Sequence, residues 1–338
     1  AVENPVYVYA TGIFNSSDIS YTGKGTIVAV LDTGLDYNHS AFSVKNFTAD
    51  RSKLGLTFEE VTALVGDTRA SGMQAGLTAA DVYINEKIPY SFDYADGDSD
   101  VYPIASNHGT HVAGIIAGKD DTITGVAPNA QLVIMKTFSD VQDTARSAWI
   151  LAALDDCVVL GVDVINMSLG GTQNTFSQVL QLAVDSDIIC VAAAGNDGTE
   201  KEHYPAADPN TIGVGALAKD SWELADYSNY GPNSDIVAPG TTFTSTVGGG
   251  YDYKNGTSMA TPVVTAAVAL YISQNKYVTF DKVKADIIAA GKDLGDLGED
   301  KYFGYGCLDI NAFIFEEKGT ITWDYCTEDI ENTEQTFV

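Results

Sequence analysis

Apolar residues along this chain form runs that alternate with segments of helical character. Five runs are almost continuously apolar, at residues 26–32, 131–138, 163–170, 187–195 and 211–218. Such runs are typical of parallel strands that are covered on both faces. Helical patterns lie between and after them, at residues 109–118, 144–161, 175–187 and 261–275. The last is apolar on nearly every side, which predicts a buried helix. The alternation predicts an α/β fold, with a doubly wound, mostly parallel sheet flanked by helices.

Composition is compatible with one large domain. The chain has 338 residues, of which 45% are hydrophobic, enough for a sizeable core. We expect a single domain over residues 1–338, with a C-terminal tail from about 317 to 338. No run of about eighteen apolar residues occurs, so no segment is expected to span a membrane. The chain starts at Ala1 and lacks a charged n-region followed by an apolar stretch, which we interpret as a processed or trimmed product.

Acidic residues outnumber basic ones, 46 to 18, and the net charge is −28. A field of this sign repels nucleic acid and anionic membrane surfaces, so neither is expected as a partner. We interpret the acidity as that of a soluble extracellular protein, with adaptation to high salt as the alternative.

Four cysteines, at 157, 190, 307 and 326, allow three complete pairings. Cys157 and Cys190 fall in apolar segments, where a buried free thiol is the ordinary expectation. Cys307 and Cys326 lie near the C-terminus and would be able to connect the tail to the domain. None has the spacing of a zinc site.

Three short motifs contain the residue types of nucleophilic catalysis. They are VLDTGLD around Asp32, NHGTHVAG around His108 and NGTSMATP around Ser258. A serine hydroxyl is a weak nucleophile that needs an adjacent base, and the base needs a carboxylate to fix its tautomer. In sequence and order these motifs resemble those of the subtilisin-like serine proteases, from about Tyr21 to about Ala312. The resemblance implies a serine endopeptidase with Asp32, His108 and Ser258 as its catalytic triad.

The same resemblance implies further site residues. Asn196, at the end of AAAGN, would donate a hydrogen bond to the oxyanion. The positions implied to bind substrate are Ser168, Leu169, Gly170, Ala193, Ala194, Gly195 and His203. His203 would lie at the base of the pocket for the P1 side chain, the residue before the cleaved bond. Because Asp197, Glu202 and the net charge disfavour acidic side chains there, we expect cleavage after large apolar or aromatic residues, with some tolerance of Lys or Arg.

An unusually long segment separates the first two motifs. Residues of about 45–105 look like an insertion, and their C-terminal part resembles the cell-envelope (lactocepin-like) branch of the family. That branch usually carries a protease-associated domain between the asparagine and the serine, and the spacing from Asn196 to Ser258 leaves no room for one. Capping signals at Thr57 and Glu60 predict a helix in LTFEEVTALV, and LTAADVYI resembles a second short helix. We expect the insertion to lie beside the cleft.

Calcium is a further candidate, although the proposed chemistry needs no cofactor. The stretch Gly118–Gly125 is shorter than the loop that forms the calcium site of many relatives. Alternating carboxylates that would suit a hard cation occur at Asp93, Asp96, Asp98 and Asp100. Solvated acidic loops of this kind are common without a metal.

Several expectations follow from the resemblance. The partners would be protein or peptide substrates and, before maturation, a propeptide; the protein would be extracellular and a monomer. Two alternatives remain open, an inactive peptide-binding pseudoprotease and a processing protease of narrow specificity. An α/β-hydrolase esterase is disfavoured, because the chain lacks a G-x-S-x-G elbow and has the order Asp, His, Ser.

Overall fold

A nine-stranded sheet forms the centre of the protein. The structure is a computed structural model and describes residues 22–48, 55–141, 144–275 and 278–314. Within these ranges the strands are β1 (Ile27–Asp32), β2 (Tyr90–Asp93), β3 (Gln131–Lys136), β4 (Val164–Met167), β5 (Ile189–Ala193), β6 (Ile212–Leu217), β7 (Ile236–Pro239), β8 (Thr241–Thr246), β9 (Gly250–Asn255), β10 (Gly291–Lys292) and β11 (Cys307–Leu308). The order in the central sheet is β10-β11-β7-β6-β5-β4-β1-β3-β2.

In the order of the sheet, the eight strands from β11 at one side to β2 at the other edge are parallel to one another. Strand β10, at the remaining edge, is antiparallel to β11. Alternate residues of each strand enter two different cores. In β1, Val28 and Val30 pack on one face, whereas Ile27, Ala29 and Leu31 pack on the other. Because both faces are covered, the strands are apolar throughout, and the predicted doubly wound fold is confirmed.

Helices cover both faces of the sheet. Those in the described residues are α1 (Phe58–Leu64), α2 (Arg69–Met73), α3 (Ala79–Val82), α4 (His108–Ala117), α5 (Ser147–Leu160), α6 (Ser177–Asp185), α7 (Thr257–Gln274), α8 (Phe280–Ala289) and α9 (Ile310–Ile314). Helices α4, α7, α8 and α9 pack on one face, and α1, α2, α3, α5 and α6 on the other. Helix α7 is buried on nearly every side, as its sequence predicts.

Element ends differ by a few residues from those predicted. The run at 163–170 forms a strand only over Val164–Met167, because Ser168 to Gly170 leave the sheet towards the candidate site. Helix α5 begins at Ser147 rather than at residue 144 and ends at Leu160, because the next residue, Gly161, has a positive φ of 63° that terminates the helix.

The segment before His108 is ordered where the structure describes it. The predicted capping box of Thr57 and Glu60 begins α1, and a second one, of Thr78 and Asp81, begins α3. Both helix predictions are therefore confirmed. The segment then forms edge strand β2, while α1 and α2 contact α5.

Buried Asp156 of α5 attaches this segment to the domain. Its carboxylate accepts hydrogen bonds from the backbone N–H groups of Arg69 (2.5 Å) and Ala70 (3.1 Å) and from the hydroxyl of Tyr94 (2.7 Å). Burial raises the pKa of Asp156 above its usual value, and the three donors oppose that shift.

A two-stranded hairpin of β8 and β9 packs on α4 and leads into α7. The contact is close, because Ser245 donates through its hydroxyl to the carbonyl of Thr110 at 3.0 Å. A Cβ at Gly114 would lie 2.3 Å from Ser245 Oγ and 2.4 Å from Thr244 Oγ1. Gly114 is therefore required for the hairpin to cover the helix.

Cys157, Cys190 and Cys307 are buried free thiols, which confirms the expectation for the first two. Burial raises the pKa of Cys190 to about 12 and that of Cys307 to about 12, so both stay protonated. Cys326 and the predicted tail lie outside the described residues. Among the helices of the described ranges, none has both the length and the apolar character needed to cross a bilayer.

Candidate active site

The three sequence motifs meet at the carboxyl end of the sheet. Asp32 is the last residue of β1, His108 is the first residue of α4, and Ser258 is the second residue of α7. In doubly wound sheets, ligand sites form at this edge, where the strand order reverses. Here β1 lies at such a reversal, since β3 and β4 are its two neighbours.

Asp32 and His108 form a direct contact. The His108 Nδ1 and Asp32 Oδ1 atoms are 2.8 Å apart, and the Asp32 side chain is buried. The backbone N–H of Thr33 donates to the same oxygen at 2.7 Å. A carboxylate at Nδ1 favours the tautomer with its proton there, so that Nε2 is a hydrogen-bond acceptor.

Gly109 makes this approach possible. A Cβ at this position would lie 2.3 Å from the carbonyl oxygen of Gly34 and 3.1 Å from Asp32 Oδ1. Its backbone N–H donates to Thr33 Oγ1 at 2.9 Å, which joins the start of α4 to the end of β1. The glycine in NHGTH is therefore needed so that the start of α4 can lie against the end of β1.

Ser258 is half-buried at the start of α7, at the end of the helix where the dipole favours negative charge. Its hydroxyl donates to the carbonyl of Ser168 at 3.2 Å, and the Ser168 hydroxyl donates to the carbonyl of Ser258 at 3.0 Å. Asn166 donates to Ser168 Oγ at 3.0 Å and accepts from Thr265 at 2.8 Å. These bonds attach the end of β4 to α7.

Asn196 is exposed and follows β5. Its Oδ1 accepts from both the backbone N–H (2.9 Å) and the hydroxyl (3.1 Å) of Thr257, which orients the amide. The Thr257 hydroxyl in turn accepts from the N–H of Gly195 at 3.2 Å. Sequence reasoning missed this role of Thr257, although its position directly before Ser258 is a usable signal.

His203 lies against two of the predicted substrate-binding glycines. A Cβ at Gly170 would be 2.6 Å from its ring, and a Cβ at Gly195 would be 3.1 Å from it. Ala193 and Ala194 end β5 nearby and are buried. Burial lowers the pKa of His203 below its usual value, and Asp197 opposes the shift. The imidazole is therefore neutral in mildly alkaline solution.

A cavity of about 490 Å³ lies beside Leu169 and Gly170. Its lining is partly apolar and consists of Phe138, Thr144, Ala145, Ser147, Ile150, Leu169, Gly170, Gly171, Thr172, Gln173 and Phe176. Of these, the sequence predicted only Leu169 and Gly170 as site residues. The others come from three segments, and their convergence depends on the packing of α5 against α6.

The acidic run before His108 is organised around a lysine. Lys136 Nζ contacts Asp93, lies 3.1 Å from Asp140 and lies 3.7 Å from Asp96. Among the described residues, Asp93, Asp96 and Asp140 are the one group of carboxylates close enough to share a metal ion. Asp98 and Asp100, two of the four candidates from sequence, are not in this group. Their carboxylates accept backbone N–H bonds in local turns.

The loop Gly118–Gly125 uses its polar groups within the protein. The Asp120 carboxylate accepts from the N–H groups of Thr122 (2.8 Å) and Ile123 (3.1 Å) and from the Tyr251 hydroxyl at 2.6 Å. Calcium binding at the acidic run before His108 stays a hypothesis. His111 is structural in the way its helical position suggests, since burial lowers its pKa to about 4 and Nε2 bonds the carbonyl of Asp252 at 3.1 Å.

Comparisons with known proteins agree with this geometry. The profile described as Subtilase family matches residues 23–306. The chain belongs to the subtilase family. This subtilase is 34% identical over 301 residues to Subtilisin NAT of Bacillus subtilis subsp. natto, which covers 86% of the chain and 66% of that relative. The chain thus spans slightly less than two thirds of the length of that relative.

Two further comparisons concern the branch and the fold. The subtilase is 33% identical over 256 residues to the PII-type proteinase of Lactococcus lactis subsp. cremoris, covering 69% of the chain and 12% of that relative. The resemblance to this branch is thereby confirmed. A solved structure described as a cold adapted subtilisin-like serine proteinase matches with a TM-score of 0.64 and 26% identity, over 87% of this chain and 90% of that one.

Proposed function

We propose that this subtilase is an extracellular serine endopeptidase that hydrolyses proteins or peptides through an acyl-enzyme. The observation that carries the proposal is the 2.8 Å contact of buried Asp32 with His108, at the sheet edge where Ser258 lies in the first turn of α7. Asp32 fixes the imidazole tautomer and stabilises the imidazolium that forms when His108 takes a proton.

In the proposed mechanism, His108 Nε2 accepts the Ser258 proton while Oγ attacks the substrate carbonyl. The oxyanion receives hydrogen bonds from Asn196 Nδ2 and from the backbone N–H of Ser258. The orientation of Asn196 by Thr257 supports this role, because the amide oxygen is occupied and Nδ2 is the remaining donor group. His108 then protonates the leaving amine, and a water molecule hydrolyses the acyl-enzyme by the same route in reverse.

The substrate would bind as an extended strand beside Ser168, Leu169 and Gly170, with backbone hydrogen bonds that are independent of its sequence. The P1 side chain would enter between Gly170, Gly195 and His203. A neutral His203 contributes no positive charge, which supports the preference for large apolar or aromatic P1 residues.

The remaining parts of the proposal concern partners. The substrates are proteins or peptides, a propeptide precedes maturation, the mature enzyme is a monomer, and the chemistry needs no cofactor. The proposed location is extracellular, where a net charge of −28 would favour solubility.

A fluorophosphonate probe tests the proposal directly. We expect the wild-type protein to be labelled and to cleave casein, whereas Ser258→Ala should fold normally and do neither. Ser186→Ala is the matched control. Ser186 is exposed, and among the described contacts its hydroxyl bonds only the carbonyl of Leu182 in α6. An unlabelled wild type that still binds peptides would support the pseudoprotease instead, and full activity of Ser258→Ala would refute the assignment.

A further inference from the structure

The loop between β10 and β11, residues 293–306, presents a leucine almost entirely to solvent. The side chain of Leu297 is 98% exposed. Single exposed apolar residues are common on protein surfaces. Leu297 differs because leucine is among the residue types expected at P1. Elsewhere in the described ranges, the exposed Leu, Met, Phe and Tyr side chains lie in helices or strands, except Tyr302, which is 44% exposed and contacts the ring of Tyr230.

The backbone around Leu297 has few internal partners. Residues 295–299 are all exposed. None of their backbone groups bonds to any other backbone group that the structure describes. The N–H groups of Asp296 (3.2 Å) and Gly298 (3.1 Å) donate to carboxylates of the same loop instead. Exposed loop tips of this kind are preferred sites of proteolytic cleavage.

Such a backbone suits the proposed mode of substrate binding. An extended substrate beside Ser168–Gly170 must offer unpaired N–H and C=O groups. With Leu297 at P1, Asp296 occupies P2, the position before P1, and Gly298 follows the cleaved bond. A Cβ at Gly298 would meet no atom within 4 Å, so the chain is open on that side as well. The Leu297–Gly298 bond is therefore accessible and carries a side chain that the proposed pocket accepts.

The loop lies far from the triad of its own molecule. Strand β10 is six positions from β1 in the sheet, and at about 4.8 Å per strand the two are roughly 29 Å apart. The loop also returns at the start of β7, where the N–H of Tyr305 donates to the carbonyl of Asp235 at 2.9 Å. Asp32 lies at the opposite end of the sheet, since it ends β1. Only a second molecule can therefore bring its Ser258 to this bond.

The chain that follows the bond is anchored in the fold. Strand β11 is buried between β10 and β7. The ring of Phe313 in α9 stacks on that of Tyr271 in α7, with the ring centroids 4.6 Å apart. These contacts do not depend on the bond after Leu297. A cut there would leave two pieces of chain in one folded molecule.

We propose that the Leu297–Gly298 bond is a site of intermolecular self-cleavage, at which a second copy of this protein converts the chain into two pieces that stay associated. The inference rests on the proposed endopeptidase function and identifies one of its substrates. The reaction consumes one water molecule. Its hydroxyl group ends on the new carboxyl group of Leu297, and the new amino group of Gly298 takes the proton.

The test uses Ser258→Ala as the substrate, because this variant should fold but lacks the nucleophile. A trace of wild type should convert it into two pieces, one ending at Leu297 and one beginning at Gly298, as measured by mass spectrometry under denaturing conditions. Elution in native size-exclusion chromatography should not change, and Ser258→Ala incubated alone should stay intact. Because both molecules carry a net charge of −28, the rate should rise when salt screens their repulsion.

Variants in the Ser258→Ala background test the residue. Leu297→Asp should slow the cut at least about tenfold, since an acidic P1 side chain is disfavoured, whereas Leu297→Phe should be cut like the parent. Leu182→Asp is the matched control, because Leu182 is 48% exposed but lies in α6, and the cut after Leu297 should be unchanged.

The outcomes separate this inference from the proposed function. A wild type that cleaves casein but leaves the Leu297–Gly298 bond intact refutes the inference alone, as does an unchanged rate for Leu297→Asp. Separation of the two pieces without denaturant refutes their association. A wild type that cleaves neither casein nor Ser258→Ala refutes the proposed function and the self-cleavage together.

Discussion

The ring of His203 occupies the space beside Gly170 and Gly195, so it sets the depth of the proposed P1 pocket. We expect His203→Gly to deepen the pocket and raise kcat/KM for P1 Tyr relative to P1 Leu by about tenfold. Cleavage after Glu should be negligible at pH 8 in the wild type. Because burial lowers the pKa of His203, that cleavage should rise only when the pH falls below the usual histidine range.

A P1 peptide series at several pH values measures both effects. Lys45→Gly, a change in a short 3-10 helix (Val44–Asn46), serves as the control for general effects of substitution. A profile dominated by acidic P1 residues at pH 8 would contradict the electrostatic argument.

Lys136 allows a second prediction at the scale of residues. Burial alone would lower its pKa, but the bonds to Asp93 and Asp140 raise it above the usual value, so the lysine is charged at neutral pH. Lys136→Met leaves three carboxylates without their counter-ion and should destabilise the fold by about 3–5 kcal/mol. Since these carboxylates are close enough to share a hard cation, calcium should raise the Tm of the variant.

Lys87→Met is the matched control. Lys87 is also buried, with a pKa lowered to about 7 by desolvation, but its Nζ donates to the carbonyl of Pro128 rather than to a carboxylate. Its loss should give no calcium response. Equal responses of the two variants in differential scanning calorimetry, or none in either, would show that Lys136 does not balance this cluster. In the wild type, chelator should lower Tm only modestly.

Among the elements, the segment before α4 depends on Asp156 of α5. Asp156→Ala would remove the acceptor of two backbone N–H groups and of the Tyr94 hydroxyl, and leaving buried donors unpaired costs about 1–3 kcal/mol each. We expect a loss of stability of several kcal/mol and faster amide exchange over residues 58–94. The adjacent Asp155→Ala removes only the more exposed pair with Arg69 and should cost less than about 1 kcal/mol. Equal losses of stability in the two variants would show that Asp156 does not attach this segment to the domain.

Much of this architecture was accessible from sequence, for reasons that are local. The runs of β1 and β3 are apolar because each strand packs on both faces, and the boxes at Thr57 and Thr78 define helix starts over four residues. Hairpin β8–β9 escaped prediction, since its residues are mainly Thr, Ser, Gly and Tyr, with few apolar positions to mark a period.

In the candidate site, too, local sequence predicts some features and not others. The motifs place Asp32, His108 and Ser258 at one edge of the sheet, because each motif ends a strand or begins a helix there. The grouping of Asp93, Asp96 and Asp140 around Lys136 depends on the register of three strands, which sequence does not specify. The carboxylate spacing suggested a metal, and it did not indicate that the fold places the ammonium group of Lys136 beside Asp93, Asp96 and Asp140.

At the scale of the whole molecule, the excess of 46 acidic over 18 basic residues creates a long-range negative potential. This potential should slow the approach of acidic peptides and speed that of basic ones. Salt should weaken both effects, because the Debye length falls from about 30 Å at 0.01 M to about 8 Å at 0.15 M.

We expect kcat/KM for a peptide with lysines outside the P2 and P1 positions to fall over this range of salt concentration. The matched glutamate peptide should show a rise, and a neutral peptide with the same P2 and P1 residues is the control. Since charges on the peptide ends do not enter the P1 pocket, the slopes report the field of the protein rather than His203. Identical salt dependence for the three peptides would mean that the net charge does not act on substrate binding.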